Sequence, residues 1–157
     1  MNFKIRPMEK SEIPLLNDFL YEAIFLPEGM TAPEKSVIYN PDLQVYVANF
    51  GTQKDDYCVV AEVDHKVAGA AWVRIMDDYG HIDDETPSLA VSLYGQYRGL
   101  GIGTALMRRL LMDLAQKGYQ KTSLAVQKAN YALRLYQKLG YEIVDENEQE
   151  YIMLRYL

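Results

Sequence analysis

The residues most suited to chemistry form one local cluster: an apolar run, Leu89-Ala90-Val91-Ser92-Leu93, passes through Arg98 into Gly99-Leu100-Gly101-Ile102-Gly103-Thr104, after which apolar residues recur at helical spacing. A strand that runs into glycines opening a helix presents bare backbone. Gly99, Gly101 and Gly103 let that backbone approach a ligand with no Cβ in the way. The N–H groups of the helix's first turn lack intrahelical partners and are backed by about half a positive charge of macrodipole. Such a turn can cradle a pyrophosphate. Two common phosphate-binding patterns do not fit. The dinucleotide fingerprint needs glycine at position 104, where Thr104 stands, and its ribose-binding acid is missing from Gln120 to Val126. The P-loop pattern is absent. A tight turn with no ligand is the plain alternative.

Charge is segregated around this cluster. From Gln96 to Tyr141 eight basic residues face a single acid, Asp113, in a chain whose net charge is −6. A basic segment in an acidic protein suits one surface that handles an anion, while the overall charge argues against nucleic acid. Two lysine- and arginine-rich solvated helices are the alternative reading.

The elements needed to hold the glycine turn are legible on both sides of it. Phe3 to Arg6 alternates as a strand stopped by Pro7. Ser11 is placed to cap a helix with Pro14 in its first turns and Ile13, Leu16, Phe19, Leu20, Ala23 and Ile24 on its apolar face. Leu26 to Pro41 is a proline-broken loop with room for a short helix, and Leu43 to Phe50 reads as another short helix. Tyr57 to Val63 and Val67 to Met76 are strands joined by a tight turn at Asp64-His65-Lys66. An acidic loop, Asp77 to Pro87, leads into the strand Leu89 to Leu93. A helix over Ile102 to Gln116, ended by Gly118, follows the glycines. Then come a strand over Thr122 to Val126, a helix over Tyr131 to Leu139 ended by Gly140, and closing strands Tyr141 to Val144 and Tyr151 to Leu154. This order predicts one α/β domain across residues 1–157, a mixed sheet with helices packed on it.

Composition agrees with that class. The 157 residues are 49% hydrophobic, enough for one core without a disulfide or metal staple. The lone cysteine, Cys58, lies in an apolar strand and is read as core rather than as a nucleophile. A single thiol fits a reducing compartment, and no apolar run approaches the ~20 residues needed to span a bilayer. A cytoplasmic protein with no membrane partner is expected.

Two stretches raise the reading from class to family. Arg98-Gly99-Leu100-Gly101-Ile102-Gly103 resembles the [QR]-x-x-G-x-[GA] signature of the GCN5-related N-acetyltransferases. Asn130-Tyr131-Ala132-Leu133-Arg134-Leu135-Tyr136-Gln137-Lys138-Leu139-Gly140-Tyr141 resembles the same family's second motif, N-x-A-x-x-x-Y-x-x-x-G-[FY]. The resemblance implies a central, mostly antiparallel sheet with helices on both faces, acetyl-CoA as co-substrate, and direct acetyl transfer to an amine. It places the backbone of Val91, Ser92 and Leu93 against the pantetheine arm, and the segment Arg98, Gly99, Leu100, Gly101, Ile102, Gly103 and Thr104 around the pyrophosphate. Asn130 would hydrogen-bond the pantetheine, and Tyr136 would protonate the departing thiolate. A phenol of pKa about 10 can donate to a thiolate of about 8.5 at a cost of roughly 2 kcal/mol.

The acceptor side is less defined. An alkylamine must lose a proton before it attacks, which costs about 4.6 kcal/mol at pH 7. Many relatives carry a glutamate on the strand before the asparagine, where this chain has Leu124 and Ala125. Glu85, just before the cofactor strand, is the expected base, with Glu62 second. The five acids of the Asp77 to Glu85 loop are open to two readings, capture of a cationic amine or plain solvation. His81 alone makes no metal site. The acidic run Glu142 to Glu150 is expected to be a solvated hairpin edge. Tyr151 and Tyr156 suit half-buried packing or the face of a homodimer. A non-catalytic acyl-CoA-binding module is the alternative function, and a nucleotide-dependent enzyme a further one. The acceptor is an amine of small-molecule or protein origin.

Overall fold

The computed structural model describes residues 2–157. Alternating apolar positions build seven strands: β1 (Phe3–Pro7), β2 (Tyr57–Val63), β3 (Lys66–Arg74), β4 (Ser88–Leu93), β5 (Lys121–Gln127), β6 (Glu142–Glu146) and β7 (Glu150–Tyr156). They form one sheet in the order β1-β2-β3-β4-β5-β7-β6. Every pairing is antiparallel except β4–β5. The β2–β3 hairpin turns on Asp64 and His65, both with positive φ, as a two-residue connection between right-twisted strands requires.

Helices cover both faces of the sheet, as the resemblance implied. On one face lie α3 (Ile102–Gln116) and α4 (Ala132–Lys138), whose Leu106, Leu110, Leu114 and Tyr136 pack with Val59, Ala71, Leu124 and Met153. On the other lie α1 (Leu15–Glu22) and α2 (Pro41–Gln44), where Leu16, Phe19 and Leu20 meet Cys58, Val60, Ala70 and Trp72. Cys58 is buried in that second core, and burial pushes its thiol far above the ordinary range.

The α1 region departs from expectation in its start. Ser11 caps nothing. Instead Glu9 and Glu12 form a reciprocal capping box around a single 3-10 turn, Lys10–Glu12, and α1 begins only at Leu15. Pro14 has no N–H to give to the preceding turn, so the hydrogen-bond ladder breaks there. Glu12 is also claimed by Arg6, whose two terminal nitrogens lie 2.8 and 2.7 Å from its carboxylate.

The segment between α2 and β2 lacks regular structure beyond one turn, and a buried ion pair fastens it. Arg74, only 2% exposed, donates to both oxygens of Asp56 at 2.9 Å and to the carbonyls of Val45 and Ala48. Trp72 adds a bond from its indole nitrogen to the Tyr46 carbonyl at 3.2 Å. These contacts hold Tyr46 over the β4–β5 region.

Candidate active site

The parallel strands β4 and β5 touch at only one registered position among the described residues, Ser88 opposite Ser123. Beyond it they part. The β5-facing backbone of Leu89 to Leu93 is therefore left without a strand partner, inside a sheet that is otherwise fully paired. Ser92 turns its hydroxyl away, donating to the Phe19 carbonyl at 2.6 Å, so what it offers the gap is main chain.

The gap opens into a cavity of about 640 Å³ lined by Val91, Ser92, Leu93, Arg98, Gly99 and Gly101 on one side and by Asn130 and Tyr136 on the other. Gly103 and Thr104 from the first turn of α3 complete that wall. Gly99 and Gly101 have φ of 76° and 83°, the left-handed region in which a Cβ is strained. Gly101 is the residue from which α3 starts, and open space lies where its Cβ would project. The donors of the helix's first turn thus face a cavity. Leu100 and Ile102 do not line it. Leu100 is exposed and Ile102 is sealed in the core, so these two contribute backbone geometry alone. Arg98 reaches across to Glu22 at the end of α1, 3.0 Å from its carboxylate, and so ties the glycine turn to that helix.

Asn130 and Tyr136 stand where β5 hands over to α4. The Asn130 side-chain oxygen accepts from the Ala132 N–H at 2.9 Å, capping the helix and leaving its amide donors for another partner. Tyr136 is 9% exposed, its ring set edge-on against Tyr141 with centroids 6.1 Å apart. Burial alone pushes its hydroxyl up to about 12. Tyr136 also lines a second cavity, of about 310 Å³, on the other side of the gap. Asn130 and Val91 are shared between the two in the same way.

Sequence similarity agrees with this geometry. A profile described as the acetyltransferase (GNAT) family matches residues 20–141. The chain belongs to the GNAT family. The GNAT chain is 34% identical over 68 residues to a [ribosomal protein bS18]-alanine N-acetyltransferase of Haemophilus influenzae, covering 43% of this chain and 47% of that one. It is 35% identical over 92 residues to an acetyltransferase of Pectobacterium atrosepticum, covering 57% and 60%. The match thus spans about half the length of these curated relatives. Among solved structures, the PaiA N-acetyltransferase of Thermoplasma acidophilum in complex with coenzyme A superimposes with a TM-score of 0.70 at 18% identity over all of both chains. That likeness is one of fold.

On the acceptor side of the GNAT chain the two expected carboxylates lie off the cleft. Glu85 is exposed and opens onto a separate depression, with Lys54, Asp55, Tyr119 and Lys121, rather than onto either half of the cleft. The acidic loop pins its far end there: Asp83 accepts from Thr86 and pairs with Lys121 at 3.3 Å, so Glu85 is carried away from Tyr136. Glu62 is engaged too, 3.2 Å from Arg6. Neither carboxylate borders the cavity that Tyr136 lines.

Three residues that the sequence does not mark individually gather there, Asp78 from the acidic loop and Glu150 from the acidic run among them. Tyr46 and Glu150 line the smaller cavity, and Asp78 sits beside it, accepting from the hydroxyls of Tyr46 and Ser88 at 3.1 Å each. Leu124 packs into the core under α3, while Ala125 and Gln127 line the cavity on β5 without a carboxylate. Glu150 supplies one from β7 instead, directly opposite Gln127. It had been read as a solvated hairpin residue. The rest of that run, Glu142 to Gln149, is exposed as expected.

Proposed function

We propose that this chain binds acetyl-CoA in the β4–β5 cleft and transfers the acetyl group directly to a primary amine. The observation that carries the reading is the position of Tyr136: this one side chain, 9% exposed, lines both the glycine-walled cavity and the smaller one across the gap. A cofactor arm entering from the first and an amine from the second would meet at this side chain. The CoA-bound Thermoplasma structure, similar in fold, supports the same cofactor here.

The residues present fit the cofactor. Unpaired backbone of Val91, Ser92 and Leu93 can pair with amides of a pantetheine arm, as a missing strand would. The α3 first turn, opened by Gly99, Gly101 and Gly103 with Thr104 behind them, offers N–H donors to a pyrophosphate. Arg98, paired with Glu22, fixes that wall to α1 and would have to leave this pair to meet the pyrophosphate, and Leu100 and Ile102 hold the loop's course. Asn130 keeps free amide donors toward the arm. When bound, acetyl-CoA supplies an activated thioester carbon. Tyr136 then donates its proton to the departing sulfur. Its hydroxyl is raised by burial, and the same burial penalises a thiolate, so the two values move together and the transfer stays feasible.

Residues 1–157 are read as a single N-acetyltransferase domain acting in the cytoplasm. Two cores on opposite faces of one continuous sheet support that reading, and no described helix is long and apolar enough to cross a membrane. The test is CoA release from acetyl-CoA across a panel of amines, with Tyr136→Phe beside the wild type. The variant should lose about 10²-fold in kcat, the usual scale for a general acid, while acetyl-CoA Kd changes less than twofold. Tight cofactor binding with no turnover on a broad panel would instead make the chain an acyl-CoA-binding module.

A further inference from the structure

Glu150 is the only charged side chain among the described residues lining the 310 Å³ cavity. Strand alternation puts it on the α1 face of the sheet, beside Gln127 on β5, while its neighbour Tyr151 turns into the core under α3. The other walls mix apolar Leu20, Ile24, Phe25, Val37 and Leu43 with polar Tyr46, Gln127 and Asn130. The same cavity is lined by Tyr136, a residue 9% exposed whose hydroxyl has no protein hydrogen-bond partner among the described residues. A lone carboxylate at one point of a chamber, with a cluster of apolar side chains from α1 and the α2 region and an unpartnered phenol elsewhere on its wall, is suited to a cation with an apolar body.

We propose that Glu150 receives the ammonium group of a compact, apolar primary amine and takes its proton, making it the acceptor-side base of this site. The proposal rests on the acetyltransferase reading above. Of the two protons the nitrogen sheds, one passes to Glu150 and on to water. The C–N bond forms as the C–S bond breaks, the sulfur takes the proton of Tyr136, and the second nitrogen proton restores the phenol. Ammonium and thioester thus become amide, thiol and one released proton.

The surroundings favour this role. Burial and the nearby Asp78 both raise Glu150, which makes it a better base than a free carboxylate. Tyr46 and Tyr79 also feel its charge, from the segment after α2 and from the acidic loop. Lys128, on the same side, is engaged by Glu146 and so does not neutralise it. An alkylamine is neutral in only about one molecule in 2,500 at pH 7, so a group that strips the proton at the site matters to rate.

The experiment compares Glu150→Gln with wild type on two acceptors, isobutylamine and methoxyamine, the latter already neutral at pH 7. The variant should lose about 10²-fold in kcat/KM on isobutylamine and less than fivefold on methoxyamine, with acetyl-CoA Kd unchanged. Asp78→Asn should shift the acidic limb of the wild-type kcat/KM profile to lower pH, because the charge that raises Glu150 is gone. Equal loss on both acceptors, or none on either, overturns the proposal while leaving acetyl transfer intact. Cofactor binding without transfer to any amine by wild type would overturn the acetyltransferase reading itself, and this proposal with it. Should Glu150→Gln fail to fold, competition in wild type decides. Isobutylamine should inhibit transfer to another amine at least tenfold better than isobutanol does, and equal inhibition overturns the proposal.

Discussion

Gly101 shows how much of the site rests on single backbone positions. Its φ of 83° starts α3 in a conformation that a Cβ strains, and Gly101 lines the larger cavity with open space where a Cβ would project. Gly101→Ala should cost about 1–2 kcal/mol of stability and weaken acetyl-CoA binding, since the new methyl intrudes on the cradle. Denaturant melts with a parallel CoA titration separate the two effects, and unchanged CoA affinity would show that the cradle lies elsewhere. The two acids expected from sequence lie off the cleft at this same scale. Only Glu85 stands close to the cofactor strand along the chain, and the orientation of Glu62 has no mark in the sequence. Hydrogen bonds of Asp83 and Arg6, invisible in a list of residues, decide where those carboxylates go.

Among the elements, the segment between α2 and β2 is the least readable, and its Tyr46 lines the smaller cavity. Leu43, Tyr46, Val47 and Phe50 recur at helical spacing and pack on the second core, yet the expected helix to Phe50 ends at Gln44, and the Arg74–Asp56 pair fastens the irregular stretch that follows. Burial works against the Asp56 carboxylate, yet Arg74 and the N–H groups of Gln53 and Gly51 keep it below its usual range. A depressed carboxylate contributes stability that is complete above its unfolded value near 3.9 and is lost as pH falls through the folded one. Asp56→Asn should therefore cost about 3–5 kcal/mol at pH 7, because it leaves Arg74 charged and buried. It should also flatten the fall in unfolding free energy between pH 5 and 2, measured by urea melts. A variant as acid-sensitive as wild type would remove Asp56 from that account. α3 behaved oppositely. Its limits, Ile102 to Gln116, were set locally by glycines at both ends and by one apolar face, and the structure keeps them.

At the scale of the whole molecule, two cores meet at a sheet that is continuous except where β4 and β5 part. A ligand that fills the gap joins both halves. Acetyl-CoA at about 100 times its Kd should add about 2.7 kcal/mol, a rise of roughly 5–10 °C in Tm for a domain this size. Differential scanning fluorimetry reads it directly, and CoA that leaves Tm unmoved would argue against the cleft as its site.

The amino-acid sequence alone determined what depends on neighbours along the chain: strand and helix periods, the glycine turn, the spacing from Asn130 ahead of α4 to Tyr136 on it, and so the family. Tertiary structure decided what depends on residues far apart. Tyr46, Asp78 and Glu150 come together because the sheet order places β7 beside β5 and a buried arginine bends the α2–β2 segment across both. Local spacing sets dihedrals and faces. Which carboxylate a pocket receives is set by strand order and long-range pairing, and these leave no periodic mark in the sequence.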